Sequence, residues 1–340
     1  MATDRKKTLI TVITLALVLA VGVIGLGAFT RLVDAGLGCP DWPGCYGHAL
    51  WPTSESDVAS ASQAFPEMPV EHDKTWPEMV HRYFATTLGL FAIAIVALAW
   101  RGRKQGLPMR LPLFLLGFII LQGMFGMWTV TLKLWPQVVT AHLLGGFTTF
   151  ALFWLLRLRL TGVAWRLATD NMQWLSQMRR WIWLAFAVVV VQIALGGWTT
   201  SNYAAVACPD LPTCQGEWLP EMDVASGFNM TQAVGPNYLG GELSNEARIA
   251  IHYSHRIGAF IVTLVVGLLG LAFLRRNTAV LKRAGHIMLG VLGLQICLGL
   301  ANVFFHFPLW VAVSHNLGGA CLLLVMVTML HRAYTVQYER

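Results

Sequence analysis

Charge is scarce in this sequence. Only 12% of its 340 residues are charged while 56% are hydrophobic, and about a quarter charged is usual for a soluble domain. Such a composition excludes an ordinary soluble globular protein and reads as a membrane-embedded chain. A helix needs about 20 apolar residues to cross a hydrocarbon core of roughly 30 Å. Runs of that kind predict spanning helices near residues 9–30, 80–100, 111–133, 138–156, 181–200, 248–273, 285–305 and 309–330. The first run follows Arg5, Lys6 and Lys7 as a secretory signal would, but its apolar stretch is too long for a typical signal core, so it is read as a spanning helix.

What charge there is lies unevenly. Most of the 24 Lys and Arg fall at the amino terminus, in Arg101–Arg110, Arg157–Arg180 and Arg275–Arg283, and at the carboxyl terminus, whereas nearly all 17 acids fall in the segments 31–80 and 201–248. The positive-inside rule then puts both termini in the cytoplasm and the two long acidic loops outside. The expected location is a bacterial inner membrane. A net charge of +7 is accounted for by topology. It implies contact with membrane lipid and no nucleic-acid partner.

The outer loops carry Cys39-Pro-Asp-Trp-Pro-Gly-Cys45 and Cys208-Pro-Asp-Leu-Pro-Thr-Cys214, which agree at five of seven positions. Further on, His81-Arg82 matches His255-Arg256, Leu121-Gln122 matches Leu294-Gln295, and Ala141-His142-Leu143-Leu144-Gly145-Gly146 matches Ser314-His315-Asn316-Leu317-Gly318-Gly319. Self-similarity at a fixed spacing marks a duplicated unit. Four helices return the chain to its starting side, so the halves have parallel topology about an axis along the membrane normal. The expected fold is an all-α integral membrane protein, its eight transmembrane helices forming two duplicated four-helix bundles. Residues 1–160 form the first bundle, with outer loop 31–79. Residues 161–180 are the linker, and residues 181–340 form the second bundle, with outer loop 201–247.

Four of the ten histidines stand apart, because His81, His142, His255 and His315 each lie near the outward end of an apolar run. Within a half, the two sit at similar depth on alternate helices, which is how bundles hold a cofactor between facing side chains. An iron porphyrin with two axial imidazoles fits that arrangement. Zinc or copper would ordinarily take a third or fourth ligand, and no Cys, Asp or Glu is duplicated beside these positions. A histidine bonding a neighbouring helix is the bland reading for any one of them. Two repeated pairs of costly intramembrane ionisable groups argue against it. The remaining histidines read as surface residues, except His252, which stands one turn before His255 and could support it.

Several neighbours add to the picture. Arg82 and Arg256 follow the first histidine of each pair, where a carboxylate-bearing group would emerge, and Arg binds carboxylates bidentately; snorkelling to head groups is the alternative. Gly145, Gly146, Gly318 and Gly319 follow the second histidine, leaving room for a flat macrocycle or for a closely packed helix. Trp76, Trp128, Trp135, Trp198 and Trp310 read as an aromatic belt. Glu78 lies one turn before His81, while the repeat puts His252 at the matching place. That asymmetry suggests two sites with different jobs, Glu78 serving as a proton acceptor or as a charge at a helix start.

Cys39 with Cys45 and Cys208 with Cys214 are expected to form disulfides in oxidising surroundings, for loop rigidity or for a redox task. Cys297 and Cys321 read as small core residues.

Taken together, the residues resemble the haem A synthase family. The resemblance covers nearly the whole chain and rests on an ordered set: the repeat, the outer cysteine loop, Glu78-Met-Val-His81, and His142, His255 and His315 on later helices. It implies an enzyme that oxidises a methyl group of haem O to a formyl group, giving haem A for terminal oxidases. His81 and His142 would hold the haem O substrate, Glu78 would serve the oxidation, and His255 and His315 would ligate a haem B cofactor. The resemblance also implies a functional disulfide between Cys39 and Cys45, a haem O donor enzyme and an electron donor as partners, and it is compatible with a homo-oligomer. The rival readings are a non-catalytic dihaem cytochrome b, disfavoured by the one-sided Glu78 and by four histidines near one face, and a transporter, which leaves the histidine pairs unexplained.

Overall fold

The computed structural model describes residues 2–339. Among them, eight helices are long and apolar enough to cross a membrane. They are α1 (Ala2–Leu32), α2 (His72–Gly102), α3 (Arg110–Thr131), α4 (Pro136–Thr161), α5 (Thr169–Ser201), α6 (Asn245–Leu274), α7 (Ala279–Phe304) and α8 (Leu309–Thr335). All but α3 are longer than their apolar runs, because polar turns continue the helix past the hydrocarbon. The largest differences are at α2, which begins at His72 and not near 80, and at α5, which begins at Thr169 and not near 181.

Local chemistry sets several ends. Ser244 caps α6, its hydroxyl accepting from the Ala247 N–H at 3.3 Å. Pro136 opens α4, where its missing N–H is harmless, and Gly162 closes it at φ 64°, a left-handed turn that glycine adopts without a side-chain penalty. One element was not anticipated: β1 (Arg166–Leu167), in the connection after α4, pairs in parallel with β2 (Gln337–Tyr338) beyond α8.

In the first half α1 packs on α2 and α4, and α3 closes the ring between those two. The second half repeats the arrangement, with α5 on α6 and α8, and α7 between them. Each bundle has its own apolar core, with Phe153 fully buried in one and Phe273 in the other. Lipid tails are as apolar as leucine, so van der Waals fit and interhelical hydrogen bonds, more than the hydrophobic effect, join such helices.

The halves meet along α1, α4, α5 and α8. Across this seam Trp154 Nε1 donates to Thr328 Oγ1 at 2.8 Å, the Thr140 and Ser201 hydroxyls lie 3.0 Å apart, and Arg31 donates to the Thr200 carbonyl at 2.7 Å. The outer loop of the second half also reaches over the first. Trp135 Nε1 donates to the Gln232 carbonyl at 3.1 Å, and the Tyr238 N–H donates to the Lys133 carbonyl at 3.0 Å.

Some residues lie elsewhere than their positions suggested. Trp198 is buried and donates to the Gly227 carbonyl at 2.8 Å, so it belongs to the packing under the second outer loop and not to an aromatic belt. Cys297 and Cys321 are exposed on the outside of their helices and fill no core. His331 is half-buried, with its Nδ1 shielded, and is not a surface residue.

Candidate functional site: two histidine pairs beneath two disulfide loops

The Cys-Pro-Asp motif builds the same loop twice. Disulfides join Cys39 to Cys45 and Cys208 to Cys214, and all four cysteines are fully buried. An aspartate organises each turn by accepting backbone N–H groups, as aspartate commonly does. Asp41 accepts from Tyr46 at 2.6 Å and Gly47 at 2.8 Å, and Asp210 accepts from Gln215 at 2.6 Å and Gly216 at 3.0 Å. The Thr213 hydroxyl also donates to Asp210. With these donors its carboxyl is held down at about 2, the Thr213 hydroxyl having the largest effect.

The two arginines beside the first histidines hold these loops in place. Arg82 Nη1 donates to the Asp41 carbonyl at 3.0 Å, and Arg256 donates to the carbonyls of Cys208 at 2.7 Å and Thr213 at 2.8 Å. Much of each guanidinium is thus engaged by loop backbone. Arg256 Nε remains buried with no partner among the described residues.

Glu78 sits beneath the first loop and is 5% exposed. One carboxylate oxygen pairs with Arg82, and the other accepts from the Cys39 N–H at 3.0 Å. Glu78 is in the second turn of α2, so it does not cap the start of that helix. In the second half His252 takes the equivalent place, its Nδ1 accepting from the Cys208 N–H at 3.3 Å. The unlike residues therefore seat corresponding cysteines, one with an anion and one with an imidazole. His252 supports the loop more directly than it supports His255.

Beneath the loops, His81 on α2 and His142 on α4 belong to one bundle, and His255 on α6 and His315 on α8 to the other. Each ring lies against a glycine of the preceding helix. A Cβ at Gly27 would come within 2.9 Å of the His81 ring, and one at Gly126, Gly196 or Gly299 within 3.2 Å of the rings of His142, His255 or His315. Ordinary carbon contacts are nearer 3.5–4.0 Å. Four glycines thus admit four rings, a role the sequence alone did not disclose. The repeat does relate Gly27 to Gly196 and Gly126 to Gly299.

His255 and His315 line a cavity of about 460 Å³ together with His252, Arg256, Gln192 and Gln295. Arg31, Leu143 and Phe147 of the first half also border it, so it opens toward the seam. Its size lies within the usual range of ligand pockets, about 300–1,000 Å³. Among the described residues no three His, Cys, Asp or Glu side chains gather as a metal site would require.

The sequence reading missed the glutamines, although Leu121-Gln122 and Leu294-Gln295 are visibly repeated. Gln122 on α3 and Gln295 on α7 reach His142 and His315, and Gln192 on α5 reaches His255. The space left by Gly145 and Gly318 receives these amides: a Cβ at either glycine would collide with the amide oxygen.

Two parallel four-helix bundles, each with a facing histidine pair beneath a disulfide loop, define a duplicated polytopic membrane protein. Residues 10–327 match the sequence model of the COX15-CtaA family, cytochrome oxidase assembly proteins, and the chain belongs to that family. It is 44% identical to heme A synthase of Shewanella oneidensis over 93% of both chains. Heme A synthases of Methylobacterium radiotolerans and Caulobacter vibrioides are 28% and 25% identical, covering 88% and 95% of this chain and 82% and 95% of their own lengths.

Proposed function

We propose that this protein is a haem A synthase, oxidising a methyl group of haem O to a formyl group. Two successive hydroxylations of one carbon, each adding one oxygen atom and taking two electrons from that carbon, give a hydrated aldehyde that loses water to leave the formyl product; the oxygen and the oxidant come from a co-reactant outside the protein. The repeated histidine pairs, with a carboxylate beside only one of them, carry this reading. They supply two places for a haem, and among the described residues the carboxylate stands beside the first, with the His252 imidazole in its place beside the second.

In this reading His81 and His142 hold the haem O substrate, and His255 and His315 hold a haem B cofactor. The residues fit such groups. Each pair offers two imidazoles from alternate helices, glycines make room for the rings, and Nδ1 of His81 and of His315 is buried without a partner among the described residues. A bound haem B supplies one-electron transfer, chemistry that side chains alone lack. The lipid-facing bundle suits a substrate with a long isoprenoid tail. Glu78 accepts and returns protons at a carboxylate shielded from water, and Arg82 keeps that carboxylate aimed.

The bacterial relatives and the charge distribution support an inner-membrane location, with both termini cytoplasmic and the cysteine loops outside. A haem O donor enzyme and an electron donor are the partners this activity requires.

The test is conversion by the purified protein in membranes or detergent. Supplied with haem O, the wild type is expected to yield haem A on chromatography of the extracted pigments, and Glu78→Gln is expected to slow that yield sharply. A protein that carries haem B and never converts haem O would instead be an electron-transfer cytochrome.

A further inference from the structure

The cavity beneath the second disulfide loop is lopsided in charge. Arg31 and Arg256 border it, and among the described residues no Asp or Glu does. Its other walls are mostly apolar, with Leu143, Phe147, Val189 and Leu292 among them. A cation beside so apolar a space is costly unless an opposite charge meets it. The occupant that suits these walls is an apolar body with acid groups on the side of the arginines.

Arg31 comes from the other half of the molecule. It lies at the outer end of α1, and the spacing that carries Gly27 onto Gly196 carries Arg31 onto Thr200. These two equivalent positions touch, Arg31 Nη2 donating to the Thr200 carbonyl at 2.7 Å. Equivalent residues in contact lie beside the axis that relates the halves, and from there a side chain of α1 reaches the second-half cavity. The repeat has threonine at the matching place, so this cation is supplied once.

The guanidinium is fixed in place yet has bonding capacity to spare. Its Cζ lies 3.9 Å from the centre of the Tyr203 ring, and Nη1 reaches the Asp34 carboxylate only at 3.4 Å. The Asp34 side chain is 53% exposed, so water competes for that pair. Arg31 Nε is buried with no acceptor among the described residues. Arginine offers five N–H donors, and the Thr200 carbonyl and Asp34 carboxylate engage two of them.

We propose that Arg31 binds a carboxylate of the ligand that His255 and His315 hold, so that the first half completes the second-half site. This rests on the haem reading above, in which that ligand is a porphyrin with two propionates. Arginine suits the task because its planar fork pairs with a carboxylate bidentately and keeps its charge when buried. Asp34 is the rival acceptor for the same guanidinium.

The test uses the purified full-length protein carrying His81→Ala and His142→Ala, so that the second pair alone is left to hold iron. It is loaded with haem B or with haem B dimethyl ester, which lacks the propionate charges, and the transfer of each to excess apomyoglobin is timed. Arg31→Gln should speed the loss of haem B by about tenfold or more, the scale of a lost hydrogen bond to a charged group. The same change should barely alter the loss of the ester, which offers no anion. Arg31→Lys, which keeps the charge, should restore part of the retention of haem B. Asp34→Asn removes the rival and should slow the loss of haem B relative to the ester. Equal acceleration of both pigments in Arg31→Gln, as a packing role would give, or acceleration of neither, would overturn the inference and leave the haem reading standing. If Arg31→Gln does not fold, Asp34→Asn decides, and an unchanged ratio of the two transfer rates overturns the inference. A parent protein that takes up no haem B with His255 and His315 intact would overturn the haem reading itself.

Discussion

The two outer loops share a Cys-Pro-Asp turn closed by a disulfide and rest on different chemistry. Below Cys39 lies the Glu78 carboxylate, paired with Arg82; below Cys208 lies the His252 imidazole, with no acid beside it. Both residues accept a cysteine N–H, so the structural duty is shared and only the first half gains an anion from it. Duplication can thus separate a conserved scaffold role from a chemical one, since a residue that merely holds a loop can be exchanged for another acceptor.

The sharpest way to break the comparison is to remove the anion from one loop and its counterpart from the other. Glu78→Gln keeps an acceptor for Cys39 and is expected to lower conversion of haem O by about 10²-fold or more, the scale of a lost general acid or base. His252→Gln should leave conversion within a few-fold. Equal losses in the two variants would show that Glu78 only seats the loop.

Packing against the rings gives the next effect. Gly27→Ala puts a methyl 2.9 Å from His81, against 3.2 Å at each of the other three glycines. It should destabilise by about 1–3 kcal/mol, as overpacking does, and more than Gly126→Ala. Thermal unfolding of the two variants in detergent checks the order.

Opening either disulfide should cost about 2 kcal/mol, the chain-entropy value for so short a loop. Cys39→Ser should also reduce conversion, because it loosens the N–H that Glu78 accepts, whereas Cys208→Ser should leave conversion near wild type at temperatures where both variants are folded.

The smallest effect is on pH. The Asp210 carboxyl is held at about 2, below its ordinary 3.8. A group whose folded value is depressed contributes its full stabilisation above the unfolded value and loses it as pH falls through the folded one. The second loop should therefore lose order between about pH 4 and pH 2, with Asp210→Asn removing that dependence. Hydrogen exchange at the Gln215 and Gly216 amides reads it directly.

Much of this architecture was legible beforehand. Eight apolar runs became eight helices, since length and hydropathy dominate the choice in a membrane, and the repeated motifs placed the four histidines in corresponding helices. The helix starts at His72 and Thr169 were not legible, because polar turns beyond the hydrocarbon carry no apolar signal. The pairing of Arg166–Leu167 with Gln337–Tyr338 joins distant segments and leaves no local pattern. Arg82 and Arg256 were expected to face a ligand's carboxylates, and the loop carbonyls that they also bind carry no side-chain signature. Gly145 and Gly318 did mark missing volume, but only the fold reveals that glutamines enter it.

The central claim is that the two halves hold different haems for different purposes. It is tested most directly by changing each histidine to alanine and identifying the pigments that remain. His81→Ala and His142→Ala should deplete haem O and haem A while haem B stays, and His255→Ala and His315→Ala should deplete haem B. Loss of the same pigment from all four variants, or of none, would contradict the account.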